Sequence, residues 1–264
     1  MKCKVTSHFT PHISYFKMRY FIKLAYNGTR FHGWQSQPNA VTVQATIEEK
    51  LSLLLRKPIE IVGCGRTDTG VHAKEYYAHF DFEDDFPKNF VHRLNLILPK
   101  DIVIYSIEKV GEEKHARFHA YHRSYEYHIC LDKNPFEIET AWVYPYREEL
   151  LDVGKMQEAA AMLMEFEDFN TFCKTNSDVK TTICEMKRAE WIFDKVNRRL
   201  IFHISANRFL RGMVRLIVGM CVNVGTGKVS LSDLRQALEQ KKPLKLNHSA
   251  PAQGLFLTDI RYVV

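Results

Sequence analysis

The sequence predicts an α+β fold of two ferredoxin-like (βαββαβ) halves that form one extended antiparallel sheet with helices on one face. Three observations carry this reading. The chain has 264 residues, 45% of them hydrophobic, enough for one large domain or two compact halves. Its hydrophobic period switches between two and 3.6 in the order βαββαβ, and does so twice. No residue-level repeat links the two runs, so the duplication is one of topology.

In the first run, alternation over residues 19–26 marks a strand. Helical spacing follows over 43–55, then strands at 59–64 and 75–82, a helix over 89–98 and a strand over 102–110. The second run opens with a strand at 124–131 and a helix over about 152–165. Strands near 183–193 and 199–206 precede a helix starting at Phe209. A short extra helix over 231–240 interrupts the pattern before a last strand at 255–263. The expected division is residues 18–112 for the first half and 113–264 for the second. Residues 1–17 are polar, aromatic and unpatterned, and Met18 opens the first strand directly. They are expected to be a disordered or non-native extension, with Met18 as the natural start. Edge-to-edge association of the halves would leave the face opposite the helices as an open platform for a polyanion.

Composition narrows the class. Thirty-seven Lys and Arg against 31 Asp and Glu give a formal charge of +6, a balance that suits nucleic acid or phosphate-bearing partners. The six cysteines are scattered and form no C-x-x-C pair, which points to neither a zinc ribbon nor a disulfide framework and fits a reducing, cytosolic setting. The longest apolar stretch, 213–224, contains Arg215 and Asn223 and is too short to span a bilayer.

The most informative segment is Gly63-Cys64-Gly65-Arg66-Thr67-Asp68-Thr69-Gly70-Val71-His72. It places Arg66, Thr67 and Asp68 on a glycine-flanked turn between two strands, where glycines permit a tight path and close approach of a substrate. The competing reading is a plain β-turn with an Asx hydrogen bond. A carboxylate beside an arginine stays ionised at neutral pH, which suits a nucleophile better than a general acid. Carboxylate nucleophiles act at glycosidic carbons, and a base leaving through nitrogen does not need the second carboxylate that a sugar leaving group requires.

Residues 115–128 (HARFHAYHRSYEYH) interleave aromatic and basic groups, as base stacking with phosphate contact requires. Strand alternation puts Arg123, Tyr125 and Tyr127 on one face, as a stacking surface or as half-buried core. His115 and His119 have helical spacing but lack the accompanying ligands of a metal motif. In Ala206-Asn207-Arg208-Phe209-Leu210-Arg211-Gly212-Met213-Val214-Arg215, a strand runs into an apolar helix, with Arg211 and Arg215 expected on one helical face. Arg215, set among apolar residues, calls for a carboxylate partner. Gly225-Thr226-Gly227-Lys228 lacks the spacing of a P-loop, and no nucleotide cofactor is implied.

Together these segments resemble the TruA family of tRNA pseudouridine synthases. The resemblance rests on YNGTRFHGWQSQ from Tyr26, Thr42-Val43-Gln44, GRTDTGVHA from Gly65, Leu94-Asn95 with Leu98-Pro99, HARFHAYHRSYEY, ANRFLRGMVR and Ala250-Pro251-Ala252-Gln253-Gly254-Leu255. It implies isomerisation of uridine to pseudouridine in the anticodon stem-loop of tRNA, typically at tRNA positions 38 to 40, with no cofactor and no metal. It further implies a cytoplasmic homodimer with tRNA lying across both subunits. Asp68 matches the family's essential aspartate, Tyr125 the tyrosine that packs on the target base, Arg66 the arginine that displaces it, and Arg215 the helical arginine that pairs with the carboxylate. The resemblance leaves open whether Asp68 attacks C1′ of the sugar or C6 of the base, and adds removal of the C5 proton as a further task for Tyr125.

Three segments depart from the family pattern. Asn27 stands for a more usual Asp, Glu165-Phe166-Glu167-Asp168-Phe169 for a Gly-x-His-Asp-Phe-like stretch, and Arg208 for a small residue. All three bear on tRNA docking and the positions modified rather than on Asp68. Asp68-Thr69-Gly70 also spells an aspartic-protease signature, but a protease dyad needs two carboxylates sharing a proton and the chain has no second copy. The alternative from a different class is a non-catalytic RNA-binding module on the same fold, which would have no use for a carboxylate that repels phosphate.

Overall fold

The computed structural model describes residues 17–145, 148–173, 180–246 and 248–263; residues 1–16 of the expected N-terminal extension lie outside the described residues. In the first half, β1 (Met18–Tyr26), α1 (Val43–Leu55), β2 (Val62–Gly63), β3 (His72–Phe82), α2 (Phe90–Ile97) and β4 (Ile102–Val110) follow one another. The second half comprises β5 (Ala120–Cys130), β6 (Trp142–Val143), α3 (Val153–Met162), β7 (Met186–Asp194), β8 (Arg199–Ala206), α4 (Met213–Gly225), α5 (Leu231–Gln240) and β9 (Leu255–Tyr262).

All strands join one sheet in the order β4-β1-β3-β9-β5-β8-β7, with β2 on β3 and β6 on β5. The order within the first half is β4-β1-β3-β2 and within the second β9-β5-β8-β7, so each half carries its fourth strand beside its first and its second at the far edge. The expected α+β duplication is present. The sheet is mostly antiparallel rather than wholly so. Where the halves meet, β3 and β9 pair in parallel over only His72↔Phe256 and Ala73↔Leu257, and β6 also runs parallel to β5. The parallel junction follows from connectivity, since each of these strands enters the seam from its own half in the same direction.

Both helical layers cover the same face. Leu255 belongs to the core built on α3 and α4, whereas Leu257, two residues on, belongs to the core built on α1 and α2. Residues two apart on a strand share a face, so the two cores lie side by side and β9 is their common wall. Val71, contributed by the first half, is buried in the second core.

Several boundaries differ from the periodicity reading. Only Val62 and Gly63 of the expected strand 59–64 pair with the sheet. The amide of Ile59 donates instead to the Ser52 hydroxyl and that of Ile61 to the Glu48 carboxylate, both on α1. Strand β3 starts at His72 rather than 75 because the seam pairing extends it. Ile183 bridges Asp168 in isolation, leaving β7 to begin at Met186. The helix expected from Phe209 begins at Met213, after Gly212 adopts a left-handed φ of 71°. Arg211 therefore precedes the helix rather than sharing a helical face with Arg215. Helix α4 is buried on nearly all sides, and its Asn223 amide donates to the carbonyl of Leu246. Among the described residues no helix is long and apolar enough to cross a membrane.

The open face of the sheet is laced with ion pairs of both signs rather than forming a uniformly basic platform. Arg19 pairs with Asp81, Lys23 with Glu75 and Arg261 with Asp259. Glu126 on β5 reaches across the seam to Lys74 on β3 at 2.6 Å and also contacts His128 at 3.1 Å. The hydrogen bond from His128, followed by that from Lys74, lowers the Glu126 carboxyl from 4.5 to about 2. A depressed carboxyl stabilises the fold above its unfolded value near 4.5, and the contribution disappears as pH falls towards about 2. Urea unfolding should therefore show the wild type losing about 2 kcal/mol more stability than Glu126→Gln between about pH 6 and about pH 3. Parallel losses in the two proteins would show that the seam pair carries no such stability.

Candidate active site

Residues 64–71 leave β2, cross the seam and enter β3, so the loop that bears Asp68 touches both halves. On the first-half side it is held by backbone and hydroxyl contacts. The amide of Trp34 donates to the carbonyl of Thr67 at 3.3 Å, and the amide of Gly70 to that of Phe31 at 3.3 Å. The Tyr26 hydroxyl meets the Thr67 hydroxyl at 2.9 Å, and the Tyr76 hydroxyl donates to the carbonyl of Gly65. Gly33 is obligatory here: its φ is 85°, and a Cβ would sit 2.5 Å from the carbonyl oxygen of Thr67. Gly63 leaves room for the stacked rings of Trp34 and Tyr76, 4.0 Å apart.

On the second-half side, the loop ends in a turn closed by the amide of Val71 donating to the carbonyl of Asp68 at 3.1 Å, with Gly70 at φ 78°. His72 then spans three segments. Its Nδ1 accepts from the amide of Gly28 at 3.1 Å, its Nε2 lies 3.0 Å from the carbonyl oxygen of Gln253, and its ring stacks on Phe256. Burial lowers the His72 pKa, so the ring is neutral with Nδ1 as acceptor and Nε2–H as donor.

Arg215, in the first turn of α4, extends to the loop. One guanidinium nitrogen lies 3.1 Å from Oδ2 of Asp68, while Nε donates to the carbonyl of Ala250 at 2.7 Å. The amide of Ala250 in turn donates to the carbonyl of Arg215 at 3.0 Å. Both members of the pair are about four-fifths buried, at 18% and 22% side-chain exposure, where a charge pair is less screened than on the surface. Arg211 is 70% exposed, with Nε 4.0 Å from Oδ1 of Asp68. The carboxylate partner expected for Arg215 is Asp68. Arg66 is exposed on the same loop and makes no hydrogen bond or ion pair with any described residue, so the cation beside Asp68 is Arg215 and not its sequence neighbour.

Tyr125 lies on β5, on the same face as Tyr127, and packs against both cores. Its ring meets Phe209 edge-on at 5.2 Å. Burial, augmented by the nearby Asp68 carboxylate, pushes its phenol up to about 12. Its hydroxyl has no hydrogen-bond partner among the described residues. Tyr127 is fully buried and donates to the carbonyl of Pro251 at 2.7 Å, which makes it core. Arg123, the third member of that stripe, is a structural clamp. Its guanidinium donates to the carbonyls of Ala120, Asn207, Cys64 and Arg117, tying the Asp68 loop to the ends of β5 and β8. His115 accepts amides at positions 117 and 118 and His119 accepts that of His115, so these imidazoles cap a turn.

The structure thus brings Asp68, Arg215 and Tyr125 together at the seam, with Arg66 exposed on the Asp68 loop. Sequence reasoning missed the bracing groups: His72, Arg123, Gly33 and the carbonyls of Ala250, Pro251 and Gln253. Those carbonyls carry no side-chain signal, but a histidine and an arginine inside the two strongest motifs were a signal that could have been read.

The family model described as tRNA pseudouridine synthase matches residues 159–263. A tRNA pseudouridine synthase A of Azobacteroides pseudotrichonymphae is 47% identical over 245 residues, covering 92% of this chain and 96% of its own. That of Porphyromonas gingivalis is 46% identical over 92% of this chain and 97% of its own, and that of Ruminiclostridium cellulolyticum 38% identical over 91% and 98%. With matches of this identity running through both halves and over the loop that carries Asp68, the chain belongs to the tRNA pseudouridine synthase family.

Proposed function

We propose that the protein is a tRNA pseudouridine synthase, an isomerase acting on uridines of the anticodon stem-loop, with Asp68 as its catalytic carboxylate. The single observation that carries the assignment of Asp68 is its ion pair with Arg215 across the seam, which holds a partly buried carboxylate near a phenol that has no hydrogen-bond partner among the described residues.

The reaction needs few parts. The target uridine leaves its stack, its N1–C1′ bond breaks, the uracil turns, and C5 bonds to C1′ while the C5 proton departs and N1 gains one. Asp68 engages the nucleoside at C1′ or C6, and Arg215 holds the carboxylate in position. The Tyr125 ring packs on the uracil. Its hydroxyl, neutral at physiological pH, takes the C5 proton as it gives its own to solvent water. Arg66, exposed and unpaired, takes the place in the stack that the uridine vacates. No step calls for a cofactor or a metal.

We extend the proposal to a cytoplasmic homodimer with tRNA lying across both subunits. Its support is the motif resemblance, together with five free thiols among the described cysteines, which suit a reducing compartment. The chain divides at 112/113, with Asp68 in the first half and Tyr125 and Arg215 in the second.

Incubation with an unmodified tRNA transcript tritiated at uridine C5 tests the assignment. Wild type should release tritium without added metal or nucleotide, and Asp68→Asn should release none while binding tRNA equally or slightly more tightly. Release by Asp68→Asn would sink the assignment, and tight binding without release by wild type would establish the RNA-binding module instead. Tyr125→Phe keeps the ring and should bind tRNA normally while lowering the rate of C5 release about 10²- to 10³-fold. Wild-type release rates in Tyr125→Phe would confine Tyr125 to stacking.

A further inference from the structure

Besides the clamp Arg123, four arginines lie on the Asp68 loop or in the segment 208–215, and they are not equivalent. Arg215 is committed to Asp68 and Ala250, Arg211 approaches the second carboxylate oxygen, and Arg66 is exposed on the loop. Arg208 is half-buried and yet makes no ion pair or hydrogen bond with any described residue. A guanidinium presents five donors and is always charged, so holding one partly out of water with none of them used is costly unless a ligand completes it.

The backbone around Arg208 is fixed from both sides. On one side, Asn207 exchanges two hydrogen bonds with Glu185, amide to carbonyl at 3.1 Å and side-chain oxygen to amide at 2.9 Å. The carbonyl of Asn207 also receives Arg123 at 2.9 Å. On the other side, Phe209 packs on Tyr125 and Leu210 is buried. Two carboxylates near at hand already hold other cations, and Glu167, whose carbonyl accepts from the Cys184 amide, is exposed and makes no ion pair with Arg208. Glu185 pairs with Lys187, and Asp168 pairs with Lys241 at 3.0 Å and accepts from Thr182 at 2.6 Å. The bonds between Asn207 and Glu185 place Arg208 beside the 183–185 segment, and its charge acts on the Cys184 thiol there. The cation is therefore pre-positioned, without a counter-charge among the described residues, and one residue from the ring that packs on Tyr125.

The geometry points to Arg208 as a phosphate-binding residue that grips the backbone of the substrate strand beside the 183–185 segment. The ligand is a phosphodiester, because the planar guanidinium matches a bidentate pair of phosphate oxygens and the proposed substrate offers one at every nucleotide. This rests on the tRNA reading above. Arg208 acts on the strand and not on the reacting base, so its loss weakens binding and leaves the chemical step intact.

Binding of an unmodified tRNA transcript, measured at several salt concentrations between about 50 and 200 mM, isolates this contact. Arg208→Gln, which keeps most of the stem, and Arg208→Ala should each weaken binding and flatten the slope of log K against log salt by about 0.7 to 0.9. Single-turnover C5 tritium release at saturating tRNA should match wild type, and Arg208→Lys should restore the slope. Arg235→Ala, which removes a cation already paired with Glu165, should leave the slope unchanged. An unchanged slope in both neutral Arg208 variants, with full wild-type turnover, overturns the phosphate contact alone. Tritium release that fails in wild type while the slope still drops in the variants sinks the catalytic reading and leaves the contact standing.

Discussion

The ion pair between Asp68 and Arg215 is the constraint on which the rest of the site depends. Its two members come from different halves of a duplicated sheet whose seam is a parallel pairing of only two residues on each strand. So short a pairing cannot fix the halves alone, and the structure adds further ties at the same place. Val71 inserts into the second core, His72 spans Gly28 and Gln253, Arg123 collects carbonyls from both sides, and Glu126 meets Lys74 on the opposite face. Each tie is modest in isolation, but together they set the distance between a carboxylate and a guanidinium to 3.1 Å.

This arrangement explains why so many polar groups near the site have backbone partners. The carbonyls of Ala250, Pro251 and Gln253 receive Arg215, Tyr127 and His72 in turn, so a stretch of four residues fixes the arginine that pairs with Asp68, a core tyrosine and the histidine that follows the Asp68 turn. The stretch is braced by the sheet, since Leu255 continues directly into β9. On the proposed reading, this rigid support leaves Arg66, Arg211 and Arg208 to meet an incoming polyanion, while the buried Asp68–Arg215 pair organises the site.

Much of this was legible in the sequence because it was local. Alternation in 19–26 and helical spacing in 43–55 set the first strand and helix, and the glycines around Asp68 marked a sharp turn. The need of Arg215 for a carboxylate followed from its apolar neighbours. The rest was hidden because it is set by tertiary pairing. Ile59 and Ile61 look like strand residues but give their amides to α1 side chains, and Gly212 delays a helix that the apolar pattern starts at Phe209. The direction of the β3–β9 pairing is a property of how the halves dock. Tyr127 and Arg123 share a stripe with Tyr125, yet the first is core and the second a clamp, because position relative to the seam decides which of the three faces the cleft.

The most direct measurement of the central claim is a double-mutant cycle on unfolding free energy, with Asp68→Asn, Arg215→Met and the double variant in urea at neutral pH. If the pair holds the two halves in register, the cycle returns a coupling of about 1 kcal/mol or more, with Arg215→Met costing less stability once Asp68 has lost its charge. Additivity within about 0.3 kcal/mol would contradict the account, because it would mean that the carboxylate and the guanidinium lie beside one another without depending on one another.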